Sequence, residues 1–131
     1  MLRPRALDHI GLKVADPDRT LSFYKALGLE VLRTSGPNAE GLRSAVVKVG
    51  SQEINVFCGP DFVPVDRENP VGMHHFCLNM EATSVADLIA DLGRAGIEIF
   101  RGPVERETGI SVFVHDPDGF KVELRIEKAR T

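Results

Sequence analysis

Two histidines and one glutamate stand at matched places along this 131-residue chain. His9 is the second residue of Asp8-His9-Ile10-Gly11-Leu12-Lys13-Val14, and His75 is the second of His74-His75-Phe76-Cys77-Leu78-Asn79-Met80. In both segments the third, fifth and seventh residues are apolar. Such alternation has the period of a half-buried strand, so the residues between the apolar ones face the other way. Glu123 occupies the same kind of place between Val122 and Leu124. Two imidazoles and one carboxylate from three strands suit a six-coordinate divalent ion: Fe, Mn, Co, Ni or Zn. Positions the protein leaves open admit a substrate's oxygens, and the charge of the ion stabilises an enolate or alkoxide. A single strand histidine is more often structural than ligating. Here the repetition and the in-register Glu123 favour ligands. His74 falls on the apolar face of its strand, and a register shift of one residue would exchange it with His75.

The elements that must position these residues also repeat. Each histidine segment runs into a helical pattern that stops at a glycine, Gly28 or Gly96. Then come Leu29-Glu30-Val31-Leu32 and Ile97-Glu98-Ile99-Phe100, followed by Gly36-Pro37 and Gly102-Pro103. Gln52-Glu53-Ile54-Asn55-Val56 matches Phe120-Lys121-Val122-Glu123-Leu124 near the two ends. The order of these matches indicates an internal duplication. The first helix has Asp16 as N-cap and Pro17 at its first position, with Leu21, Tyr24 and Leu27 on its apolar face. The second starts near Thr83 or Ser84 and carries Val85, Leu88, Ile89 and Leu92. Residues 45–49, 54–58, 111–115 and 120–126 read as strands, the last two joined by the turn Asp116-Pro117-Asp118-Gly119. The fold class is α+β: two tandem βαβββ modules, about 6–58 and 72–127, in a single domain spanning 1–131 with a linker at 59–71. One such module leaves a sheet face bare. Two together are expected to form a curved mixed sheet around a metal-binding cup, with the helices outside.

The alternation assigns Ile10, Leu12, Val14, Ile54, Val56, Phe76, Leu78, Met80, Val122 and Leu124 to the helix side. Facing the cup are His9, Gly11, Lys13, Glu53, Asn55, Phe57, His75, Cys77, Asn79, Lys121, Glu123 and Arg125. Lys13, Lys121 and Arg125 suit an anionic small-molecule substrate, although solvated surface positions account for Lys121 and Arg125 equally well. His115 ends a strand and reads as a rim residue or an acid–base group. Phe57, Phe62 and Val63 suit either the cup mouth or an interface. Charged residues are 27% and hydrophobic ones 43%, a globular balance. The net charge of −3 carries no sign of a basic nucleic-acid face. No apolar run approaches the ~20 residues of a membrane span, and the first seven residues lack a secretory pattern. Two cysteines, Cys58 and Cys77, are too few for a disulfide scaffold and read as buried, inert thiols of a cytoplasmic protein.

Leu7-Asp8-His9-Ile10-Gly11-Leu12-Lys13-Val14, with Phe23-Tyr24-Lys25-Ala26-Leu27-Gly28-Leu29-Glu30-Val31, resembles the opening of the vicinal oxygen chelate superfamily. Asp116-Pro117-Asp118-Gly119-Phe120-Lys121-Val122-Glu123-Leu124 resembles its closing motif. The superfamily includes glyoxalase I, extradiol dioxygenases, fosfomycin-resistance transferases and metal-free bleomycin-binding proteins. The resemblance covers about residues 7 to 127 and implies the paired βαβββ fold, with His9, His75 and Glu123 as metal ligands. It implies a metal-dependent enzyme, a lyase, dioxygenase or thiol transferase, acting on a small molecule through bidentate oxygen chelation. A non-catalytic binding or resistance protein of the bleomycin-binding type is the alternative. It also implies a homodimer in which each metal site takes ligands from both chains. Asn55 stands where glyoxalase I carries a fourth ligand, usually Glu, that acts as base. An amide takes no proton at neutral pH, so strict glyoxalase I activity is not expected. Asn55 is assigned instead a cup-lining role beside the catalytic Glu123, hydrogen-bonding a bound water. Lys13 matches a substrate-binding Arg of glyoxalase I, and Phe57, Lys121 and Arg125 complete the expected substrate contacts.

Overall fold

The computed structural model describes residues 1–62 and 72–128. Most of the expected linker, including Val63, lies outside the described residues. The chain divides into two compact units, Met1–Val65 and Asp66–Thr131. The first contains β1 (His9–Lys13), α1 (Pro17–Ala26), β2 (Glu30–Ser35), β3 (Arg43–Val49) and β4 (Gln52–Cys58). The second contains β5 (Phe76–Asn79), α2 (Val85–Arg94), β6 (Ile99–Arg106), β7 (Gly109–His115) and β8 (Lys121–Glu127). The same βαβββ order thus occurs twice. Each unit has its own four-stranded sheet, ordered β1-β4-β3-β2 and β5-β8-β7-β6. The first and last strands of each unit pair in parallel, and the other neighbours are antiparallel.

Local chemistry explains the helix boundaries. Asp16 Oδ1 accepts from the backbone N–H groups of Asp18 and Arg19 at 3.0 and 3.3 Å. Ser84 Oγ accepts from Asp87 N–H at 3.1 Å. Each cap satisfies donors that the first helical turn leaves open. Leu21, Tyr24 and Leu27 are buried, and α1 packs along β2, β3 and β4. In α2, Leu88 and Leu92 are buried, whereas Ile89 is on the exposed side.

The alternation also holds in the sheets. Leu12, Val14, Ile54, Val56, Leu78, Val122 and Leu124 are buried, with Ile10, Phe76 and Met80 half-buried. β6 runs past residues 97–100 and through Gly102-Pro103 to Arg106. It does so through register shifts between Ile99 and Val104. An edge strand tolerates a proline at such an irregularity, because no ladder partner needs its missing N–H.

The Asp116-Pro117-Asp118-Gly119 turn sets the spacing that matters for the site. Asp116 Oδ1 accepts from the N–H groups of Asp118 and Phe120, each at 2.9 Å. Gly119 N–H donates to Asp116 O, also at 2.9 Å. This locked turn fixes β7 against β8, so that Phe113 stands opposite Glu123 and Val114 opposite Val122.

Candidate metal centre

Glu123 is a buried carboxylate, only 8% exposed, on the face of β8 opposite its apolar residues. Both of its oxygens are engaged. His75 Nε2 lies 3.0 Å from Oε1, and the Ser111 hydroxyl donates to Oε2 at 2.7 Å. Burial by itself raises the pKa of the Glu123 carboxyl. The Ser111 hydrogen bond, the His75 charge and hydrogen bond, and the Arg106 charge more than reverse this, leaving it below the usual carboxylate value. Glu123 is therefore an anion at neutral pH, as a ligand must be.

His75 lies just before β5, one residue short of Phe76. It is His75, not His74, that reaches Glu123. The two histidines touch through their Nδ1 atoms at 2.8 Å. The His75 ring also packs edge-on against Phe113, with ring centres 6.0 Å apart.

The spacing of these donor atoms fits a divalent ion. Neighbouring ligands of a six-coordinate ion, each about 2.1 Å from it, stand about 3.0 Å apart. No three His, Cys, Asp or Glu side chains among the described residues gather as a metal group. The expected ligands are in fact divided, with His9 in the first unit and His75 and Glu123 in the second.

In the first unit, His9 Nδ1 is 2.8 Å from Asp8 Oδ2. A carboxylate there holds the proton on Nδ1 and leaves Nε2 as a free lone pair. His9, Gly11 and Lys13 of β1 pair with Glu53, Asn55 and Phe57 of β4, so these six share a face. The Phe57 ring lies beside Gly11, where an added Cβ would meet it at 3.4 Å. Asn55 Oδ1 is buried and carries no hydrogen-bond partner among the described residues. A vacant acceptor of this kind fits the expected role of binding a water or substrate hydroxyl.

The expected cations are partly committed already. Lys13 Nζ sits 4.8 Å above the centre of the Phe62 ring. Arg125 Nε donates to Asn79 Oδ1 at 3.0 Å, and its guanidinium also meets Thr108 and Glu127. Lys121 is exposed. His115 stacks on Phe100, ring centres 3.9 Å apart and 13° from parallel, as a rim residue would. Cys77 is exposed and Cys58 half-buried, not the two buried thiols expected. Cys77 belongs to the open face because its register partner is Glu123.

A family model described as the glyoxalase/bleomycin resistance protein/dioxygenase superfamily matches residues 6–124. The chain belongs to this superfamily. A virulence protein of Salmonella typhimurium is 33% identical over 123 residues, covering 90% of this chain and 81% of the relative. A lactoylglutathione lyase of Escherichia coli O157:H7 is 32% identical over 129 residues, covering 92% and 91%. The crystal structure of a glyoxalase family protein from Enterococcus faecalis matches with a TM-score of 0.77 at 28% identity, covering 92% of this chain and 97% of that one. These matches extend over both modules of the superfamily fold.

Ser111 is the site residue that the sequence reading passed over. Its signal was present: Val112 and Val114 are apolar, so Ser111, Phe113 and His115 must share the other face of β7. Nothing in the sequence marks which of those three touches Glu123.

Proposed function

We propose that the chain is a metal-dependent enzyme of this superfamily. It acts on a small molecule that presents two adjacent oxygens to a divalent ion held by His9, His75 and Glu123. The observation that carries this reading is the His75–Glu123 pair, an imidazole and an ionised carboxylate at ligand spacing with a hydroxyl on the second oxygen. An ion of the Fe, Mn, Co, Ni or Zn group supplies Lewis acidity toward a substrate's oxygens when bound.

The chain's own residues contribute the rest. Asp8, 2.8 Å from His9 Nδ1, favours a proton there and leaves Nε2 to ligate. His75 would ligate through Nε2, and its Nδ1, 2.8 Å from His74 Nδ1, would carry the remaining proton. Asn55 orients a water or substrate hydroxyl through Oδ1 but holds no proton to exchange. The proton abstraction expected of a lactoylglutathione lyase therefore lacks its base at this position. Lys13, Lys121 and Arg125 receive an anionic group, and Phe57 lies against the apolar part of the substrate. Three protein ligands suit dioxygenase or thiol-transferase chemistry, and a substrate screen on loaded protein separates these from a lyase.

The test is metal content by mass spectrometry, on protein purified without chelators and reloaded anaerobically, beside His75→Ala. Near-stoichiometric metal that disappears in the variant supports the reading. Wild-type protein that refuses all five ions overturns it and turns attention to a binding or resistance role.

A further inference from the structure

We infer that Ser111 is a positioning residue that restricts Glu123 to one ligating oxygen. This rests on the reading of Glu123 as a metal ligand. Ser111 is fully buried in the middle of β7. Its hydroxyl donates to Glu123 Oε2 at 2.7 Å, while Oε1 faces His75 Nε2 at 3.0 Å. The two oxygens of one carboxylate thus have different occupations. Oε2 is bound to a hydroxyl whose backbone is held on both sides, since Ser111 is paired to both flanking strands, with Val104 and Arg125 as register partners.

A carboxylate free to rotate can offer both oxygens to an ion and fill two of its positions. A carboxylate with one oxygen tied back offers a single oxygen and leaves one more position open. Substrates that bind through two adjacent oxygens need such vacancies. Hydrogen bonds to a ligating carboxylate orient it and strengthen binding, typically by 10–100-fold in metal affinity. The Ser111 hydroxyl thereby sets both how tightly the ion is held and how many positions remain for substrate.

The test compares wild type, Ser111→Ala and Ser111→Thr. Ala removes the hydroxyl with little change in volume, and Thr keeps it. Cobalt(II) affinity is measured by competition with a chromophoric chelator, and the cobalt visible spectrum is recorded alongside thermal unfolding of the metal-free proteins. The expected result is cooperative unfolding throughout, about 10- to 100-fold weaker cobalt binding by Ser111→Ala, and recovery in Ser111→Thr. The Ala variant should also show a changed visible band, because its carboxylate is free to bind through both oxygens. A folded Ser111→Ala with wild-type affinity and spectrum overturns the inference and leaves the metal reading standing. If Ser111→Thr fails to fold, the affinity and spectrum of the Ala variant still decide. Wild-type protein that takes up no cobalt or other divalent ion overturns both readings together.

Discussion

Cys77 shows how strongly one carboxylate colours its surroundings. Burial raises its thiol, and the neighbouring Glu123 charge and hydrogen bond raise it further, to about 11 from 9.0. At neutral pH that shift cuts the thiolate fraction about 100-fold. A more basic thiolate is also a better nucleophile, with a Brønsted slope near one half, so the net loss of reactivity is about tenfold. Cys77 should therefore react with an aromatic disulfide at pH 7 about tenfold more slowly than an exposed peptide thiol, despite its accessibility. Peptide mapping of the labelled protein locates the modification, and Glu123→Gln should accelerate it. A wild-type rate equal to the peptide's would mean that Glu123 does not stand charged beside this thiol.

Helix starts and strand edges carry the next set of consequences. Ser84 caps α2, and Ser84→Ala should cost about 1 kcal/mol, a fall of about 3–5 °C in the thermal midpoint of a domain this size. Asp87 lies in the same turn, its pKa lowered first by the Thr83 hydroxyl and then by Ser84. A carboxyl whose folded pKa is depressed adds stability that is present above its unfolded value. That stability disappears as pH falls through the folded value. The acid limb of the stability curve should accordingly flatten in Asp87→Asn, below about pH 4. Equal acid sensitivity in the variant would remove Asp87 from the account.

Gly102 tests the irregular edge strand. Its φ is +105°, and an added Cβ would lie 2.7 Å from the carbonyl oxygen of Ser111. Gly36, at the matching place in the first unit, meets the Leu42 carbonyl in the same way at φ +92°. Gly50 also has a positive φ, +58°, but open space around it. Gly102→Ala should cost at least about 2 kcal/mol, against about 1 kcal/mol for Gly50→Ala, measured by denaturant unfolding. Because the clash falls on Ser111, the first variant should also disturb the Glu123 contact.

At the level of the whole molecule, the question is which chain supplies His9 to a given His75–Glu123 pair. We propose the homodimer with shared sites. His9→Ala and His75→Ala should then complement each other when mixed and allowed to exchange subunits. Each mixed dimer contains one site with both wild-type histidines and one with neither. About a quarter of all sites should recover metal after random exchange. Sites built within single chains would each keep one defect, and mixing would restore nothing. Sedimentation of the wild type as a monomer would also remove the shared-site version.

The chain order of elements was legible from residues alone, because caps, turn residues and apolar alternation are local. Asp16, Ser84 and the Asp116-Pro117-Asp118-Gly119 turn mark their boundaries by chemistry confined to a few neighbours. The buried set followed from period 2, and the same rule put His75 and Glu123 on one side of their strands. Other features depended on register and tertiary approach. Which of Ser111, Phe113 and His115 touches Glu123 depends on how β7 slides against β8, and alternation does not encode that slide. The passage of β6 through Pro103 required an edge position, which sequence order does not announce. The exposure of Cys77 depends on what covers its face of the sheet. Sequence thus set which face each residue occupies, because side-chain direction is a property of the single strand. Only the tertiary structure decided who meets whom on that face, because contact is a property of paired strands.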